Sequence, residues 1–370
     1  MKILICAAGS GGHIYPALSL AQSLQAADKN IKILFLSNKK AISKNIFEKI
    51  DYKVFTADFI SPYTAKQTNP FKFFLKNLGF LLKFSTEAIK VFFLIIQIKP
   101  DVVIGFGGII SIAAISFARL IGIPTLIHEQ NIVPGIANKL ISVYATKVAV
   151  GFKQSSKYFK RDSVFTGNPI RQDFEKIDKA IACKSLGFEK NIFTLLVFGG
   201  SQGSRFLNTC FTQAIEKLEY NLKDCLQIIH ISGTMDVSAL VDFYQNQNIK
   251  AKVFSYCSKM SIAYSAADIV IGRAGAGTIN ELCFFAKPAI FIPYPHASGH
   301  QKVNAEFMQK HGAACLLLEN NLTADNLQKE IRHLIEKKDV LSRMSQKSGE
   351  LFVPGAESKL AQLVLAMAKK

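Results

Sequence analysis

The sequence lacks the cysteine spacing of zinc sites and of disulfide frameworks. Its seven cysteines are scattered over 370 residues, and no Cys-x-x-Cys pair occurs. We therefore expect buried free thiols in a reducing compartment. The N-terminus also lacks a secretory signal, because the apolar stretch at residues 2–6 runs directly into a glycine-rich turn and has no cleavage site. Both absences favour a cytoplasmic protein.

Acidic residues are scarce, since 27 Asp and Glu stand against 45 Lys and Arg, and the formal net charge is +18. The expected partners are therefore anionic, and charge alone does not separate nucleic acid, acidic lipid headgroups and phosphorylated substrates. No basic motif interleaved with aromatic residues is present, so nucleic acid is not an expected partner.

The length and the apolar pattern predict two α/β domains. A chain of 370 residues exceeds what one hydrophobic core usually supports. Short apolar runs without strict alternation are separated by longer helix-like stretches, which is typical of doubly wound parallel sheets covered by helices on both faces. The runs lie at residues 2–8, 31–37, 102–106, 125–128 and 147–152, and again at 193–198, 226–232, 251–256, 269–272 and 289–293.

The second series of runs begins with its own glycine-rich turn, so we interpret the chain as two Rossmann-like units. A turn signal at residues 167–171 (Gly-Asn-Pro-Ile-Arg) suits the junction. We place an N-terminal domain at residues 1–165 and a C-terminal domain at 166–345. A final helix within 346–370 is expected to pack back toward the N-terminal domain.

Residues 71–98 are apolar except for a stripe of charge at helical spacing. One interpretation is a buried helix or helix pair with one solvated edge. The other is an interfacial surface, apolar with flanking lysines, that contacts anionic lipid. The predicted membrane contacts are Lys72, Phe73, Phe74, Lys76, Phe80 and Lys83. A transmembrane span is not expected, because the longest uncharged run here, residues 91–98, is far shorter than the roughly 20 residues that a bilayer needs.

Three glycine-rich turns each follow an apolar run, at residues 9–13, 105–108 and 199–204. Glycine lets backbone N–H groups approach a ligand closely, and the helix that follows presents unpaired donors that suit phosphate or sugar oxygens. A nicotinamide dinucleotide would also require an acid after the second strand. That strand ends at Ser37 and is followed by Asn38 and two lysines, so NAD is not expected.

A fourth site is predicted at residues 272–281, where small residues precede a helix. Thr278 and Glu281 could form a capping box at the start of this helix. Alternatively, the carboxylate of Glu281 accepts the two hydroxyls of a ribose whose diphosphate rests on the helix start. Downstream, His300 and Gln301 begin a polar cluster just after a strand, where open α/β sheets place their ligands.

These motifs together resemble the MurG family of bacterial N-acetylglucosaminyltransferases. The matching segments appear in order at residues 9–17, 128–131, 167–171, 199–204, 273–278 and 300–301. The resemblance implies a GT-B fold, in which two Rossmann-like domains face a cleft. It also implies an inverting, cofactor-free transfer of N-acetylglucosamine (GlcNAc) from UDP-GlcNAc to the 4-hydroxyl of the muramoyl sugar of lipid I, giving lipid II on the cytoplasmic face of the inner membrane.

The resemblance also implies a set of donor-binding residues. Asn131 and Gln301 would hold the GlcNAc hydroxyls, Arg171 and Ser201 the diphosphate, and Glu281 the ribose. The full set expected is Ser10, Gly11, Gly12, Asn131, Arg171, Ser201, Cys257, Ala276, Gly277, Thr278, Ile279, Asn280, Glu281 and Gln301. The sequence departs from the family pattern at two positions. A bulkier residue is common at the position of Gly277, and an aliphatic residue is common at the position of Cys257.

Such a transfer needs a base near the acceptor hydroxyl and stabilisation of the departing UDP. His13 is the predicted base, because a position near a helix start favours a neutral ring. It could instead position an acceptor phosphate or cap the helix. Glu129 is the rival base, and it could equally orient a neighbour. No Asp-x-Asp motif occurs, so no metal is expected.

Two other functions stay open at this stage. A UDP-GlcNAc 2-epimerase or a lipid-A-type disaccharide synthase would have the same fold. A basic peripheral module that binds acidic lipid through residues 71–98 would not be an enzyme, and it would leave the four glycine-rich turns unexplained.

Overall fold

The structure is a computed structural model that describes residues 1–9, 11–39, 46–48, 50–59, 70–200, 203–295 and 299–368, without the side chains of residues 70–76 and 78. The chain divides into two compact units. Unit 1 comprises Met1–Arg171 and Val353–Lys370, and unit 2 comprises Gln172–Phe352. The sequence-based boundaries were 165/166 and 345/346, so both lie a few residues earlier than the division in the structure.

Unit 1 contains a seven-stranded sheet. Its strands are β1 (Lys2–Cys6), β2 (Lys32–Ser37), β3 (Lys53–Thr56), β4 (Val102–Gly105), β5 (Thr125–Glu129), β6 (Lys147–Val150) and β7 (Ser163–Phe165). They pair in the order β3-β2-β1-β4-β5-β6-β7, and every pair is parallel. The order reverses between β1 and β4, which is the switch point at which open α/β sheets bind ligands.

In the described part of unit 1, four helices connect these strands, besides helical residues 46–47. They are α1 (Gly11–Ala27), α2 (Pro70–Ile98), α3 (Ile109–Leu120) and α4 (Ile136–Ile141), and a short 3-10 helix spans Lys153–Tyr158. Each of the first, third and fourth helices begins directly after a strand and its glycine-containing turn. The loops at the carboxyl ends of β1, β4 and β5 therefore lie along one edge of the sheet.

Unit 2 contains a six-stranded parallel sheet. Its strands are β8 (Phe193–Phe198), β9 (Leu226–Ile231), β10 (Lys250–Phe254), β11 (Ile269–Gly272), β12 (Ala289–Phe291) and β13 (Ala314–Leu316). They pair in the order β10-β9-β8-β11-β12-β13. The predicted fold class of two parallel-sheet α/β domains is confirmed.

Among the described residues of unit 2, nine helices accompany the second sheet, with a 3-10 turn at Glu319–Asn321. They are α5 (Lys179–Ser185), α6 (Arg205–Glu216), α7 (Tyr220–Lys223), α8 (Val237–Asn246), α9 (Met260–Ala266), α10 (Ala276–Phe285), α11 (His300–Lys310), α12 (Ala324–Glu336) and α13 (Lys338–Glu350). These helices cover the described part of unit 2, and its core lies between them and the sheet.

The last helix, α14 (Ala356–Ala368), belongs to unit 1 and packs against α1. Leu360 and Val364 join the core that Ile3 and Ile5 of β1 form with α1. Leu4 and the other alternate residues of β1 face the opposite core, which is formed with α2 and α3. The first strand is thus covered on both faces, which explains why its sequence is apolar without alternation.

Helix α2 has one face buried in the core and one apolar face exposed to solvent. Its inner face, with Val91 and Ile95, packs in the core of unit 1, but Leu82 and Phe93 on the outer face are 64% and 62% exposed. Glu87, the acidic member of the charged stripe, is buried rather than on a solvated edge, and its carboxylate accepts hydrogen bonds from Lys90 and from the backbone of Asp58. Among the described residues, no helix is long and apolar enough to cross a membrane.

Candidate active site

His13 lies in the first turn of α1, immediately after the glycine-rich turn that ends β1. Its ring nitrogen Nδ1 is 3.0 Å from the carbonyl oxygen of Ala8. A carbonyl only accepts, so Nδ1 carries the hydrogen, and the neutral ring keeps its lone pair on Nε2. The local backbone therefore selects the tautomer in which Nε2 can take up a proton.

Gly107, in the turn after β4, lies against the His13 ring. A Cβ built on Gly107 would lie 3.3 Å from Nε2 of His13 and 3.7 Å from Nδ2 of Asn138, and its φ of +103° is one that L side chains rarely adopt. The second glycine of the turn, Gly108, also has a positive φ, of +78°. The turn after β4 therefore needs glycine to bring its backbone close to the His13 ring.

Glu129 ends β5 and is 1% exposed. Its Oε1 accepts hydrogen bonds from the backbone N and Nδ2 of Asn131 at 2.8 and 3.1 Å. Its Oε2 accepts from the backbone N of Gly135 at 3.0 Å and from Nδ2 of Asn138 at 2.8 Å. A carboxylate offers about four lone-pair positions, and all four are used here. This geometry favours the second predicted role of Glu129, orientation of its neighbours, over proton abstraction.

His128 also contacts the segment that follows β5. Its Nε2 donates to the carbonyl of Gly167 at 3.1 Å, and its Nδ1 accepts from Nε2 of Gln130 at 3.1 Å. Burial lowers the pKa of His128 to about 4, so the ring is neutral near pH 7. The side chain of Asn168 donates to the backbone of Gln130, and this ties the turn at 167–171 to the end of β5.

Four of the predicted donor-binding residues also belong to unit 1. Gly11 and Gly12 begin α1, and Asn131 donates to Glu129. Arg171 is the last residue of the first segment of this unit, and its guanidinium lies 4.6 Å from the centre of the Tyr15 ring on α1. The structure thus groups Arg171 with the helix of His13. Ser10 lies outside the described residues.

In unit 2, the turn at residues 272–281 forms the start of α10. Gly275 is the N-cap residue and no side chain caps the helix. Ala276, Gly277 and Thr278 occupy the first turn, so Thr278 is not the cap and the capping box with Glu281 is wrong. The first-turn N–H groups of a helix have no partner within the helix, so α10 presents backbone donors and the positive end of its dipole.

Glu281 follows one turn later and is half-buried. Its Oε2 accepts a hydrogen bond of 2.6 Å from the hydroxyl of Tyr264, a fully buried side chain on α9. Tyr264 is itself held by ring contacts with Phe174, Phe198 and Phe285. The carboxylate of Glu281 is therefore fixed in position close to the uncapped helix start.

Arg273 is a residue whose role the motif analysis missed. It is buried, and its guanidinium donates to Ser204 Oγ at 2.7 Å, to the carbonyl of Ile292 at 2.8 Å, and to the Glu319 carboxylate. These bonds join the glycine-rich turn after β8 to the end of β12. In the sequence, Arg273 stands within a turn of small residues. A buried arginine at such a place needs a charged partner, and this could have indicated its role.

The turn after β8 also requires glycine. A Cβ on Gly199 would lie 2.3 Å from the backbone N of Ser204, and one on Gly203, whose φ is +73°, would lie 2.6 Å from the carbonyl oxygen of Ser232. Ser204 then caps α6. Ser201, predicted to bind the diphosphate, lies outside the described residues.

The remaining predicted residues lie around α10 and α11. Gln301, in the first turn of α11, accepts from the backbone N of Tyr294 at 3.0 Å. Cys257 lies in the segment between β10 and α9 and is half-buried. Ile279 and Asn280 are buried in α10. A Cβ on Gly277 would meet open space.

No group of three or more His, Cys, Asp and Glu side chains within the described part of the chain is arranged to hold a metal ion. The seven cysteines are all free; Cys225 is exposed, and four of the others are buried as expected.

Comparison with known proteins connects these two groups of residues with a family. Residues 3–150 match the glycosyltransferase family 28 N-terminal domain, and residues 194–360 match the C-terminal domain of the same family. The two matches together cover most of the chain.

Curated relatives are similar over nearly the full length. The chain is 34% identical over 382 aligned residues to the UDP-N-acetylglucosamine--N-acetylmuramyl-(pentapeptide) pyrophosphoryl-undecaprenol N-acetylglucosamine transferase of Thermoanaerobacter sp., with 98% of this chain and 99% of that protein covered. A protein of the same name from Thermodesulfovibrio yellowstonii is 34% identical, with 100% of both chains covered. Among solved structures, MurG of Acinetobacter baumannii has a TM-score of 0.77 at 26% identity and 99% coverage of both chains.

Proposed function

Since this chain belongs to glycosyltransferase family 28 and to its MurG members, we propose that it transfers GlcNAc from UDP-GlcNAc to the 4-hydroxyl of N-acetylmuramic acid in lipid I. Lipid I is undecaprenyl-pyrophosphoryl-MurNAc-pentapeptide, and the product, lipid II, is the precursor of peptidoglycan. The observation that carries the proposal in this chain is the uncapped start of α10 with the fixed carboxylate of Glu281 one turn on.

Unit 2 holds the donor in this proposal. The first-turn N–H groups of Ala276, Gly277 and Thr278 donate to the diphosphate, and Glu281 accepts the ribose hydroxyls. The backbone at Cys257 contacts the uracil, and Gln301 contacts a GlcNAc hydroxyl. Arg273 touches none of these groups; it is a positioning residue that joins the turn after β8 to the end of β12.

Unit 1 holds the acceptor and the base. Nε2 of His13 takes the proton of the muramoyl 4-hydroxyl as the oxygen attacks C1 of GlcNAc from the face opposite UDP. The new C–O bond forms while the bond from C1 to the diphosphate oxygen breaks, and UDP leaves with the bonding electron pair. The Nδ1–H bond to Ala8 stabilises the imidazolium that results, because a carbonyl acceptor interacts more strongly with the charged ring.

Glu129 acts through the loop at residues 131–138. By fixing Asn131 and Asn138 it sets the wall beside the His13 ring. Arg171, whose guanidinium lies over Tyr15 on the helix of His13, supplies positive charge to the donor diphosphate.

The enzyme works in this proposal as a peripheral protein on the cytoplasmic face of the inner membrane. The outer face of α2 is apolar at Leu82 and Phe93, and lysines flank it, among them Lys83, which also forms an ion pair with Asp58. Phe80 is half-buried against Phe84, so its contact with lipid is partial. Lipid contacts are also predicted at Lys72, Phe73, Phe74 and Lys76. The structure does not describe the side chains of these residues. Apolar residues with flanking cations bind surfaces of anionic lipid.

Radiolabelled transfer tests the reaction. The full chain is incubated with UDP-[14C]GlcNAc and lipid I, and label is expected in lipid II with equimolar release of UDP. Donor turnover in the absence of lipid I would instead identify a UDP-GlcNAc 2-epimerase. Label transferred to an acylated glucosamine 1-phosphate, with lipid I ignored, would identify a lipid-A-type synthase.

Vesicle co-sedimentation tests the membrane contact. Leu82→Glu with Phe93→Glu is expected to weaken binding to vesicles that contain phosphatidylglycerol, because both side chains face solvent on α2. Tyr220→Glu is the matched control, since Tyr220 is an exposed aromatic residue on α7 of unit 2. Equal binding by all three proteins would rule out α2 as the contact.

A further inference from the structure

The hydrogen bond between Tyr264 and Glu281 reaches from the core of unit 2 to its donor site. Tyr264 on α9 is fully buried, and its hydroxyl donates to Oε2 of Glu281 at 2.6 Å. A hydroxyl that donates to a carboxylate forms a short, charge-assisted bond, roughly twice as strong as a bond between neutral groups. Glu281 is only half-buried and stands in the second turn of α10, where the ribose is proposed to bind.

The ring of Tyr264 is held by aromatic side chains from three other segments of unit 2. The centre of the Phe285 ring, at the end of α10, lies 5.1 Å from the centre of the Tyr264 ring. The corresponding distances are 6.1 Å for Phe198, at the end of β8, and 6.2 Å for Phe174. All three rings are buried, and a close-packed side chain has few alternative rotamers. The hydroxyl of Tyr264 is therefore presented to Glu281 from a fixed position.

Helix α9, which carries Tyr264, is also fixed relative to α10. Oγ of Ser265 accepts a hydrogen bond from the backbone N of Ile177 at 3.1 Å. Nζ of Lys287, which follows α10, donates to the carbonyl of Ala267 at 2.7 Å and to the carbonyl of Ser265 at 3.4 Å. One side chain thus joins the ends of the two helices, so the helices that carry the hydrogen-bonded pair keep their spacing.

A fixed carboxylate affects how the site reads a ribose. A carboxylate offers about four lone-pair positions, so Glu281 can accept from Tyr264 and from two ribose hydroxyls together. A site built to bond a hydroxyl rejects the analogue that lacks it, because a polar group of the site then loses its partner. A carboxylate that rotates freely recovers part of this loss by accepting from water, whereas one held in place does not.

We propose that Tyr264 makes the donor site selective for ribonucleotides, because by holding Glu281 it raises the cost of a missing ribose hydroxyl. Tyr264 is a positioning residue, since it is fully buried and acts through Glu281. The inference rests on the proposed function and adds the class of nucleotide that the same site accepts. Deoxyribonucleoside diphosphate sugars, which lack the 2′-hydroxyl, are the donors that this arrangement excludes.

Kinetics with two donors test the inference. The full chain transfers GlcNAc to a lipid I analogue from UDP-GlcNAc or from its 2′-deoxyribose analogue, and the ratio of the two kcat/KM values measures selectivity. We expect a ratio of roughly 10 to 100 in the wild type, the size of one hydrogen bond to a charged group. In Tyr264→Phe the ratio should be smaller by about threefold or more, since the carboxylate loses the bond that holds it.

Two results would overturn the inference. One is the same ratio in the wild type and in Tyr264→Phe, and the other is a wild-type ratio near one. In either case transfer from UDP-GlcNAc to the lipid I analogue would still support the proposed function, so the two failures are distinguishable.

Tyr244→Phe is the matched control. Tyr244 is a second buried tyrosine of unit 2, on α8, and its hydroxyl shares a hydrogen bond of 2.7 Å with Nδ1 of His230. Both substitutions remove one buried hydroxyl and keep the ring, so both should lower stability in urea unfolding, but only Tyr264→Phe should lower the ratio. An equal fall of the ratio in Tyr244→Phe would show that selectivity follows the general stability of unit 2 and would overturn the inference.

A double-mutant cycle tests whether Tyr264 acts through Glu281. Glu281→Ala is expected to bring the ratio close to one, because the carboxylate that reads the ribose is removed. Adding Tyr264→Phe to this variant should change the ratio no further, since the effects of residues that act through one another are not additive. A further change as large as the one in the wild-type background would contradict the proposal.

Discussion

At the scale of single residues, the proposed proton transfer to His13 depends on one hydrogen bond. The bond between Nδ1 of His13 and the carbonyl of Ala8 selects the tautomer with a lone pair on Nε2. Glu129, the rival base, has all of its acceptor positions occupied by Asn131, Gly135 and Asn138. The sequence could identify both residues, but it could not separate their roles, because the separation depends on the donors that surround each side chain.

His13→Ala is expected to lower kcat by roughly 10²-fold or more, the size of a lost general base, while UDP-GlcNAc still binds. Steady-state kinetics with lipid I and calorimetric titration of the donor measure the two quantities. Near-normal turnover would remove His13 from the mechanism. Loss of donor binding would show that the substitution disturbs more than proton transfer.

Glu281→Ala is expected to weaken donor binding by about 1.5–3 kcal/mol, because hydrogen bonds to a charged group are lost. Tyr264→Phe is the milder comparison, since it removes only the hydroxyl that donates to Glu281 Oε2 and leaves the carboxylate in place. The donor KM should therefore rise more in the first variant than in the second. An unchanged KM in Glu281→Ala would show that the ribose is held elsewhere.

Two buried histidines make stability depend on pH. Burial lowers the pKa of His128 to about 4 and that of His230 to about 3, below the 6.5 of an exposed ring. Between pH 6.5 and pH 4 the unfolded chain binds protons that the folded chain does not, so stability falls as the pH falls, by up to about 1.4 kcal/mol per pH unit for each ring. Urea unfolding at pH 7 and pH 5 should show this loss.

His128→Gln should reduce the dependence on pH, because the amide can donate to Gly167 without titrating. His333→Gln is the control, since His333 is exposed on α12. An equal dependence on pH in the wild type and in His128→Gln would contradict the assignment of His128 as a buried neutral ring.

At the scale of elements, the apolar pattern predicted the central strands well and missed three at the edges. β8 and β11 were predicted with the bounds they have. β3, β7 and β13 were missed, and each lies at the edge of its sheet. These strands are three or four residues long and include partly exposed positions, so their sequences lack the continuous apolar run that reveals a strand covered on both faces.

Helix α2 shows a second limit of pattern analysis. Spacing located the charged residues on one stripe, but it could not reveal that the inner part of this stripe packs against the segment around Asp58. Apolar residues occupy both the buried and the exposed face, so periodicity alone does not tell which face the protein covers. Arg273 was missed for a similar reason, since its partners Ser204, Ile292 and Glu319 are distant in sequence.

The glycine-rich turns differ in how strictly they require glycine. Gly203→Ala should destabilise unit 2 by roughly 1–3 kcal/mol, because alanine would be strained at a positive φ and its Cβ would meet the carbonyl of Ser232. Gly277→Ala, at a helical position with open space, should be neutral or slightly stabilising. Thermal unfolding of both variants compares the turns directly. Equal losses of stability would contradict the distinction.

At the scale of the whole molecule, the sequence predicted two parallel-sheet units of similar design, and the structure contains them. The predicted donor-binding residues divide between the units: Gly11, Gly12, Asn131 and Arg171 belong to unit 1, whereas Cys257, the start of α10 and Gln301 belong to unit 2. The sequence-based boundary at 165/166 placed Arg171 in the C-terminal domain, whereas the structure groups it with unit 1; its contact with Tyr15 is distant in sequence and could not be predicted from sequence order.

A crystal structure of the full chain with UDP bound tests the central claim most directly. The account predicts that the diphosphate accepts hydrogen bonds from the first-turn amides of α10 and that the ribose hydroxyls contact the carboxylate of Glu281. A uridine bound instead against the turn of His13 in unit 1, with α10 uncontacted, would contradict it.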